Sequence, residues 1–205
     1  MLPCELPIFP LPNAVLFPAA LLPLHIFEPR YRAMVADALD GDRQIGMVML
    51  RPGWEHHYEG TPAIYPIGCA GFITHAERLP DGRYNIMLKG TEKFRVLNER
   101  PAREGAERYR IALVESVVDA RPAGAALGEA RVRLERLIVS TLHVEADAVP
   151  KDVSDADLVH AIAQHLDPLE QQALLECAGP LERCKALVEL LEMRLMMRTA
   201  KLRVH

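Results

Sequence analysis

The stretch LPLHIFEPRYR, residues 22–32, joins two kinds of secondary structure within a few residues. Its first half is apolar and predicts a strand. In its second half Pro29 suits the first position of a helix, where the missing N–H of proline is no loss. The apolar positions that follow recur at the spacing of one helical face: Tyr31, Met34, Val35, Ala38 and Leu39. Gly41 predicts the end of this helix.

Short segments rich in β-branched and aromatic residues follow, and each predicts a strand. They are residues 44–50, 63–74, 83–88, 93–97 and 110–118. The sequence Pro80-Asp81-Gly82 predicts a hairpin turn, and Gly68 and Gly71 predict a bulge or a bend inside a strand. Several short strands separated by turns favour a small antiparallel barrel or sandwich that holds one embedded helix.

The C-terminal part of the chain has a different composition. All eleven aromatic residues lie between Phe9 and Tyr109, and residues 110–205 have none. The apolar residues of this part follow helical periodicity and predict a bundle of about four helices. We place the boundary in DARPAGA, residues 119–125, which predicts a β-rich domain at 1–119 and a helical domain at 120–205. The predicted fold class is therefore α+β.

Capping residues predict the ends of these helices. Ser154 and Asp167 suit N-cap positions, and Pro180 suits the start of the last helix. Gly179 predicts the end of the helix that follows Asp167.

Composition and charge exclude several classes of protein. Half of the residues are hydrophobic and a quarter are charged, which is typical of globular domains. No segment approaches the roughly 20 apolar residues of a membrane span, and the first residues lack the pattern of a signal peptide. We therefore expect a cytoplasmic protein. The net charge of −4, without a cluster of cations, argues against nucleic-acid binding.

The sequence also lacks the common catalytic and metal-binding motifs. It has no phosphate-binding glycine loop, no nucleophile elbow and no paired-cysteine motif, and it contains three serines in all. The adjacent His56 and His57 lack the further ligands that a zinc site needs. We therefore predict no catalytic residue, no metal and no cofactor.

Two places are candidates for binding. Phe27, Glu28, Arg30 and Tyr31 surround the predicted start of the helix and could line a recognition groove. The alternative is structural: Glu28 would cap the helix, Arg30 and Arg32 would be solvated, and Phe27 and Tyr31 would lie in the core. Trp54, the one tryptophan, stands in a polar loop and could contact a ligand or anchor its own loop.

The N-terminal motifs resemble those of a known family. They are LPIFPLP at 6–12, VLFP at 15–18 and LPLHIFEPRYR at 22–32. Further matches are IGCAG at 67–71, DGR at 81–83, KG at 89–90 and FRV at 94–96, with weaker ones in QQALLE at 171–176 and LER at 181–183. This set is similar to the N-terminal domain of Lon proteases. The segment at 51–63 departs from the family pattern.

The resemblance implies a PUA-like β-barrel followed by a helical bundle. In the full protease this domain helps to recognise unfolded or tagged proteins and contributes to assembly, and ATPase and Ser-Lys peptidase domains follow it. Because the sequence stops at His205, we expect a stand-alone substrate-binding domain without ATPase or protease chemistry.

Three hypotheses of function follow. The first is a non-catalytic module that binds unfolded or specific proteins, in cooperation with a separate protease or without one, and the helices could offer a face for a homodimer. The second is a small-molecule sensor that uses a pocket of the barrel. The third, RNA binding, rests on distant kinship with PUA domains and is disfavoured by the net charge.

Overall fold

The computed structural model describes residues 2–57, 60–100, 109–120, 124–142 and 154–202. The elements are β1 (Glu5–Leu11), β2 (Leu21–Ile26), α1 (Pro29–Asp40), β3 (Gln44–Met49), β4 (Ile67–Arg78), β5 (Tyr84–Glu99), β6 (Arg110–Val117), α2 (Gly124–Leu142), α3 (Asp155–Ala163), α4 (Pro168–Glu176) and α5 (Pro180–Leu202). The chain forms two compact units, Met1–Val118 and Asp119–His205. Strands and helices together confirm the predicted α+β class.

The strands of the first unit form one mixed sheet in the order β2-β5-β4-β3-β1-β6. β5 also pairs with β6, so the pairings from β5 through β4, β3, β1 and β6 return to β5. Because β1 and β3 run parallel, the prediction of an antiparallel sheet is wrong for this pair. The reason is that β2 and α1 lie between them in the chain, and such a long crossover allows two neighbouring strands to run in the same direction. The PUA-like barrel stays a prediction.

The sequence patterns did not predict β1, because Pro7 and Pro10 interrupt it and proline has no N–H to donate. The strand pairs with β6 through residues 5–8 and with β3 through residues 8–11. The Leu11 carbonyl accepts a hydrogen bond from Leu50, on the β3 side. The backbone N–H and C=O groups of odd-numbered residues of β1 therefore point to β3, and those of even-numbered residues point to β6. Pro7 therefore faces β3 before that pairing begins, and Pro10 faces β6 after that pairing has ended. Neither proline removes a sheet hydrogen bond.

The predicted hairpin between β4 and β5 is confirmed. Gly82 in its turn has a φ of 80°, which glycine adopts without strain. β5 is longer than predicted, because its 16 residues join two segments predicted as separate strands: residues 84–88 of the segment 83–88, and all of 93–97. The register with β4 shifts between Cys69 and Gly71, which confirms the predicted irregularity at this place.

α1 agrees with the sequence pattern. It has Pro29 in its first turn and Gly41 as its C-cap residue. Its buried face consists of Tyr31, Met34, Val35 and Ala38. A second buried cluster lies within the sheet and consists of Leu6, Ile8, Val48, Ala70, Phe94, Ala112 and Val114.

The helices of the second unit begin where the capping residues predict. The Ser154 hydroxyl accepts a 3.2 Å hydrogen bond from the Asp157 N–H at the start of α3. At the start of α4, the Glu170 carboxylate accepts a 3.1 Å hydrogen bond from the Asp167 N–H. The predicted end of α4 at Gly179 is wrong, because the helix stops at Glu176 and the next residue has extended backbone angles.

A buried guanidinium connects the elements of this second unit. Arg183 is 1% exposed, and its Nε donates a 3.0 Å hydrogen bond to the Leu174 carbonyl. One terminal nitrogen donates to His160 Nε2 at 2.9 Å, and the other donates to the Asp119 carboxylate at 3.2 Å. A guanidinium can only donate, so His160 accepts through Nε2 and is neutral in this arrangement. Arg183 therefore joins α3, α4 and α5 to the first residue of the unit.

Candidate functional site

β2 lies at the end of the sheet order and presents alternate side chains to solvent. Leu21, Pro23 and His25 are exposed, and the register places them opposite Lys89, Met87 and Asn85 of β5. The same β5 residues are opposite Phe72, His75 and Glu77 of β4. Cross-strand partners share one face of a sheet. These nine residues therefore form one surface, which we call the β2–β5–β4 face.

A shallow groove of about 380 Å³ runs across this face. Its lining residues are Pro23, Leu24, His25, His75, Asn85, Ile86 and Met87. Apolar side chains form most of the groove, and imidazole and amide groups stand beside them. Such a surface can bury an apolar side chain of a partner and offer hydrogen bonds at its rim.

The polar end of the groove is held by a directed chain of hydrogen bonds. Arg83 Nη1 lies 3.2 Å from His25 Nε2, which must accept because a guanidinium only donates. His25 Nδ1 then carries the proton and donates to Asn85 Oδ1 at 2.8 Å. The Asn85 amide nitrogen in turn donates to the Glu77 carboxylate at 3.0 Å. This series of hydrogen bonds fixes the orientation of each side chain, so this end of the face is preorganised.

Asp81 holds Arg83, the first donor in this series of hydrogen bonds, in place. Its carboxylate accepts a 2.6 Å hydrogen bond from Arg83 Nε and a 3.0 Å bond from the Arg83 backbone N–H. These hydrogen bonds lower the pKa of Asp81 below its usual value and raise the pKa of Arg83. Both groups are therefore charged at neutral pH.

The four candidate residues at the start of α1 have different environments. Phe27 is 60% exposed, so the interpretation of Phe27 as a core residue is wrong. Its ring stacks against His25, with centroids 6.3 Å apart, which connects it to the β2–β5–β4 face. Glu28 occupies the N-cap position, yet its side chain makes no capping hydrogen bond. It pairs instead with Arg30, at 2.9 Å.

Arg30 and Tyr31 support the entry to the helix. The Arg30 guanidinium lies 4.6 Å from the centroid of the Tyr31 ring. Tyr31 is 5% exposed and packs against Phe9, with centroids 4.3 Å apart. The core interpretation is therefore correct for Tyr31. Little of its ring is open to a partner.

Trp54 lies near the start of β4, at the opposite end of this strand from Phe27. It begins a short 3-10 helix, Trp54–His57, in the connection between β3 and β4. This connection closes with a bridge between Leu50 and Ile64, next to the start of β4. Phe27 follows Ile26, which the register places, through β5, at the opposite end of β4. Trp54 therefore lies apart from Phe27, Glu28, Arg30 and Tyr31, which are together at the start of α1.

The outer edge of β2, the last strand in the order of the described sheet, is an unfavourable place for another strand. The Ala20 carbonyl accepts a hydrogen bond from Gly90 of β5, so the backbone groups of even-numbered residues point to β5. Those of Leu21, Pro23 and His25 point to the outer edge of the sheet. Pro23 has no N–H at the centre of this edge, and proline commonly protects edges in this way. The face of the sheet is therefore a better candidate than its edge.

Sequence reasoning missed most of the groove. Pro23 inside an otherwise strand-like segment could have indicated an edge strand. Nothing local indicates that His75 lies beside Met87, because a register shift between Ile73 and His75 sets that pairing. Asn85 was also missed, since its contact with His25 joins residues 60 positions apart in the chain.

The described residues contain neither a cluster of metal ligands nor a helix that could span a membrane. Within the described ranges, no group of three or more His, Cys, Asp or Glu side chains could hold a metal ion. The His56 and His57 side chains lie outside the described part, and the four cysteines are free thiols. Of the helices that the structure describes, none combines the length and the apolar character needed to cross a membrane.

The fold is that of Lon N-terminal domains. A crystal structure of a Lon N-terminal domain protein from Xanthomonas campestris matches with a TM-score of 0.63 and 25% identity, over 90% of this chain and 97% of that one. The N-terminal domain of a Mycobacterium avium complex Lon protease matches with a TM-score of 0.70 and 15% identity, over 92% and 98% of the two chains, and supports the fold alone.

The sequence model of one protein family, the ATP-dependent protease La (LON) substrate-binding domain, matches residues 5–193. The chain belongs to this family. Among curated proteins, Lon protease 2 of Myxococcus xanthus is 29% identical over 93% of this chain, and Lon protease 2 of Syntrophobacter fumaroxidans is 30% identical over 85%. The matches cover 24% and 22% of those proteins, so this chain spans about a quarter of their length.

Proposed function

We propose that this chain binds protein segments with exposed apolar side chains, and that the β2–β5–β4 face with Phe27 is the binding surface. The observation that carries the proposal is the exposure of large apolar side chains on and beside this face: Leu21 is 54% exposed, Phe27 60% and Phe72 37%. A surface of this kind is a common sign of an interaction site. The family description, a substrate-binding domain, supports the same function.

Burial of apolar surface would supply most of the affinity, at roughly 25 cal/mol per Å² removed from water. Phe27 would make direct contact. The Glu28–Arg30 pair and the buried Tyr31 ring would hold the entry of α1, and so the position of Phe27. Trp54 would form a separate contact. Binding of this kind needs no catalytic residue, metal or cofactor.

The relatives are Lon proteases, so we further propose that bound proteins are substrates of an ATP-dependent protease. Unfolded proteins are the partners that expose most apolar surface. We propose no nucleic-acid partner and no membrane, a cytoplasmic location, and a homodimer through the helical unit.

The test compares two matched double variants in a calorimetric titration with a carboxymethylated, permanently unfolded protein. Leu21→Ser with Phe27→Ser removes two side chains of the proposed surface. Leu97→Ser with Leu113→Ser removes two of similar exposure, 52% and 43%, elsewhere on the sheet. We expect the first pair to weaken binding about tenfold or more, because two partly exposed apolar side chains no longer become buried. An equal loss in both pairs, or none, would contradict the proposed surface.

A small-molecule sensor is the second candidate. The groove volume of about 380 Å³ favours it, since small-molecule sites usually have about 300–1,000 Å³. A metabolite that raises the melting temperature and competes with the unfolded protein would support this function. A screen without any such compound would leave protein binding as the better proposal.

A further inference from the structure

His25 lines the groove of the β2–β5–β4 face and has a cation as its direct neighbour. Its Nε2 atom accepts a hydrogen bond from Arg83 Nη1 at 3.2 Å, and its Nδ1 atom donates to Asn85 Oδ1 at 2.8 Å. The Phe27 ring stacks against the imidazole. Because both ring nitrogens are in hydrogen bonds, an apolar partner can cover the neutral imidazole without leaving a polar atom of the ring unpaired.

Protonation of His25 would disrupt this arrangement. An imidazolium carries a hydrogen on each nitrogen and accepts at neither, so Nε2 could no longer accept the hydrogen bond from Arg83. Two positive charges would then lie side by side, since the guanidinium stays protonated. A partner that covers the groove would have to bury the charge of the imidazolium next to a second cation, which disfavours binding.

The charged groups around His25 and Phe27 balance one another. In the part of the chain that the structure describes, they are three guanidinium groups and three carboxylates: Arg30, Arg32, Arg83, Glu28, Glu77 and Asp81. Each of these carboxylates already accepts a hydrogen bond from a neighbouring side chain. Arg78 lies on the opposite face of the sheet, because the register pairs it with the buried Tyr84. Arg83 contacts the imidazole directly, so a proton on His25 would add a positive charge next to a positive charge.

From this geometry we infer that binding at the β2–β5–β4 face depends on pH and that His25 is the sensor. The face binds apolar segments when His25 is neutral and binds them more weakly when His25 is protonated. The inference rests on the proposed function, because it concerns the same surface. Histidine is the side chain whose charge ordinarily changes between pH 5 and pH 8. Affinity should therefore fall as the pH is lowered through this range, and by linkage, binding should release protons.

The test is a calorimetric titration of the full chain with an apolar peptide that is acetylated, amidated and free of titratable side chains. A change of affinity with pH then belongs to the protein. We expect binding about threefold to fivefold weaker at pH 5.5 than at pH 8, because the effects of partly exposed charges are small. At about pH 6.5, inside the range in which histidine titrates, the binding enthalpy should differ between buffers of different ionisation enthalpy, since the released protons are taken up by the buffer.

Two matched variants identify the sensor through the ratio of the affinities at pH 8 and pH 5.5. His25→Gln places a neutral amide beside Arg83, and its oxygen can accept the hydrogen bond at both pH values, so most of the pH dependence should disappear. His75→Gln makes the same change at the second imidazole of the groove. The register places His75 opposite Met87 rather than a cation, so this variant should keep most of the ratio.

The outcomes separate this inference from the proposed function. Equal affinity at the two pH values, with the expected loss in the Leu21/Phe27 double variant at pH 8, would overturn the pH dependence and leave apolar binding intact. No binding of the peptide at either pH would overturn both. An unchanged ratio in His25→Gln, or an equal loss of the ratio in His25→Gln and His75→Gln, would show that His25 is not the sensor and would also overturn the inference.

Discussion

The hydroxyl of Tyr109 donates a 2.7 Å hydrogen bond to the Asp37 carboxylate. Partial burial, together with this hydrogen bond and the negative charge of Asp37, raises the pKa of Tyr109 to about 12 from the ordinary value of 10.0. A raised pKa means that the folded chain favours the protonated phenol. The contact therefore contributes stability that is fully present below pH 10 and is lost as the pH rises towards about 12.

Tyr109→Phe tests this residue. The variant should lose less stability than the wild type between pH 10 and pH 12, because it has no phenol to ionise. Urea midpoints measured across this range give the comparison, with the wild type at pH 8 as reference. Parallel curves for the two proteins would show that the Asp37 contact does not control the alkaline limit.

The candidate residues show how neighbours in one motif can have different roles. Phe27 and Tyr31 are four positions apart, yet Phe27 is exposed and Tyr31 is buried. The helical spacing predicted the inward position of Tyr31. The outward position of Phe27, which precedes the helix, could not be predicted in the same way, because the direction of its side chain depends on how β2 enters α1.

At the scale of elements, glycines control how closely chain segments approach. Gly90 lies within β5, and its N–H donates a 2.9 Å hydrogen bond to the Ala20 carbonyl. A Cβ at this position would collide with the backbone carbonyl of Phe17. Gly128 lies in α2, where a Cβ would meet open space.

The two glycines should therefore respond to alanine in opposite directions. Gly90→Ala should destabilise the protein by about 3 kcal/mol, since the backbone collision must be relieved by movement of β5 or of the segment that contains Phe17. Gly128→Ala should stabilise it by about 0.5–1 kcal/mol, because alanine favours the helix over the unfolded chain. Urea unfolding measures both changes. A tolerated Gly90→Ala would contradict the close approach of Phe17.

For the whole molecule, the division into two compact units allows each to be observed by its own signal. Trp54 is the one indole of the chain and lies in the first unit, whereas four of the five α-helices described lie in the second. Fluorescence therefore reports mainly on the sheet, and far-ultraviolet circular dichroism reports mainly on the helices.

Arg183→Met should act on the helical unit. It leaves the Asp119 carboxylate and His160 without their buried guanidinium partner. Because the Asp119 side chain is 27% exposed, we expect a cost near the lower end of the roughly 3–5 kcal/mol that follows loss of one member of a fully buried pair. We expect a lower midpoint by circular dichroism and an unchanged midpoint by Trp54 fluorescence. Arg133→Met is the control, because Arg133 is 64% exposed and its pair with Glu192 should contribute less than about 1 kcal/mol. Equal shifts of both signals in Arg183→Met would show that the units unfold as one.

Short-range patterns were enough to predict α1, the β4–β5 hairpin and the caps at Ser154 and Asp167. Each of these depends on residues within a few positions of one another, where helical spacing, turn chemistry and capping act. The contrast between an aromatic-rich first part and a helical second part likewise comes from composition.

Long-range pairing decided the rest. The parallel β1–β3 pair, the tolerance of Pro7 and Pro10, and the place of Met87 beside Pro23 all follow from register between strands distant in the chain. A shift of one residue in register would turn every side chain of a strand to the other face, and no local pattern records which register the packed sheet adopts. The motif around Phe27 is therefore visible in the sequence, but the surface to which it belongs exists only in the folded chain.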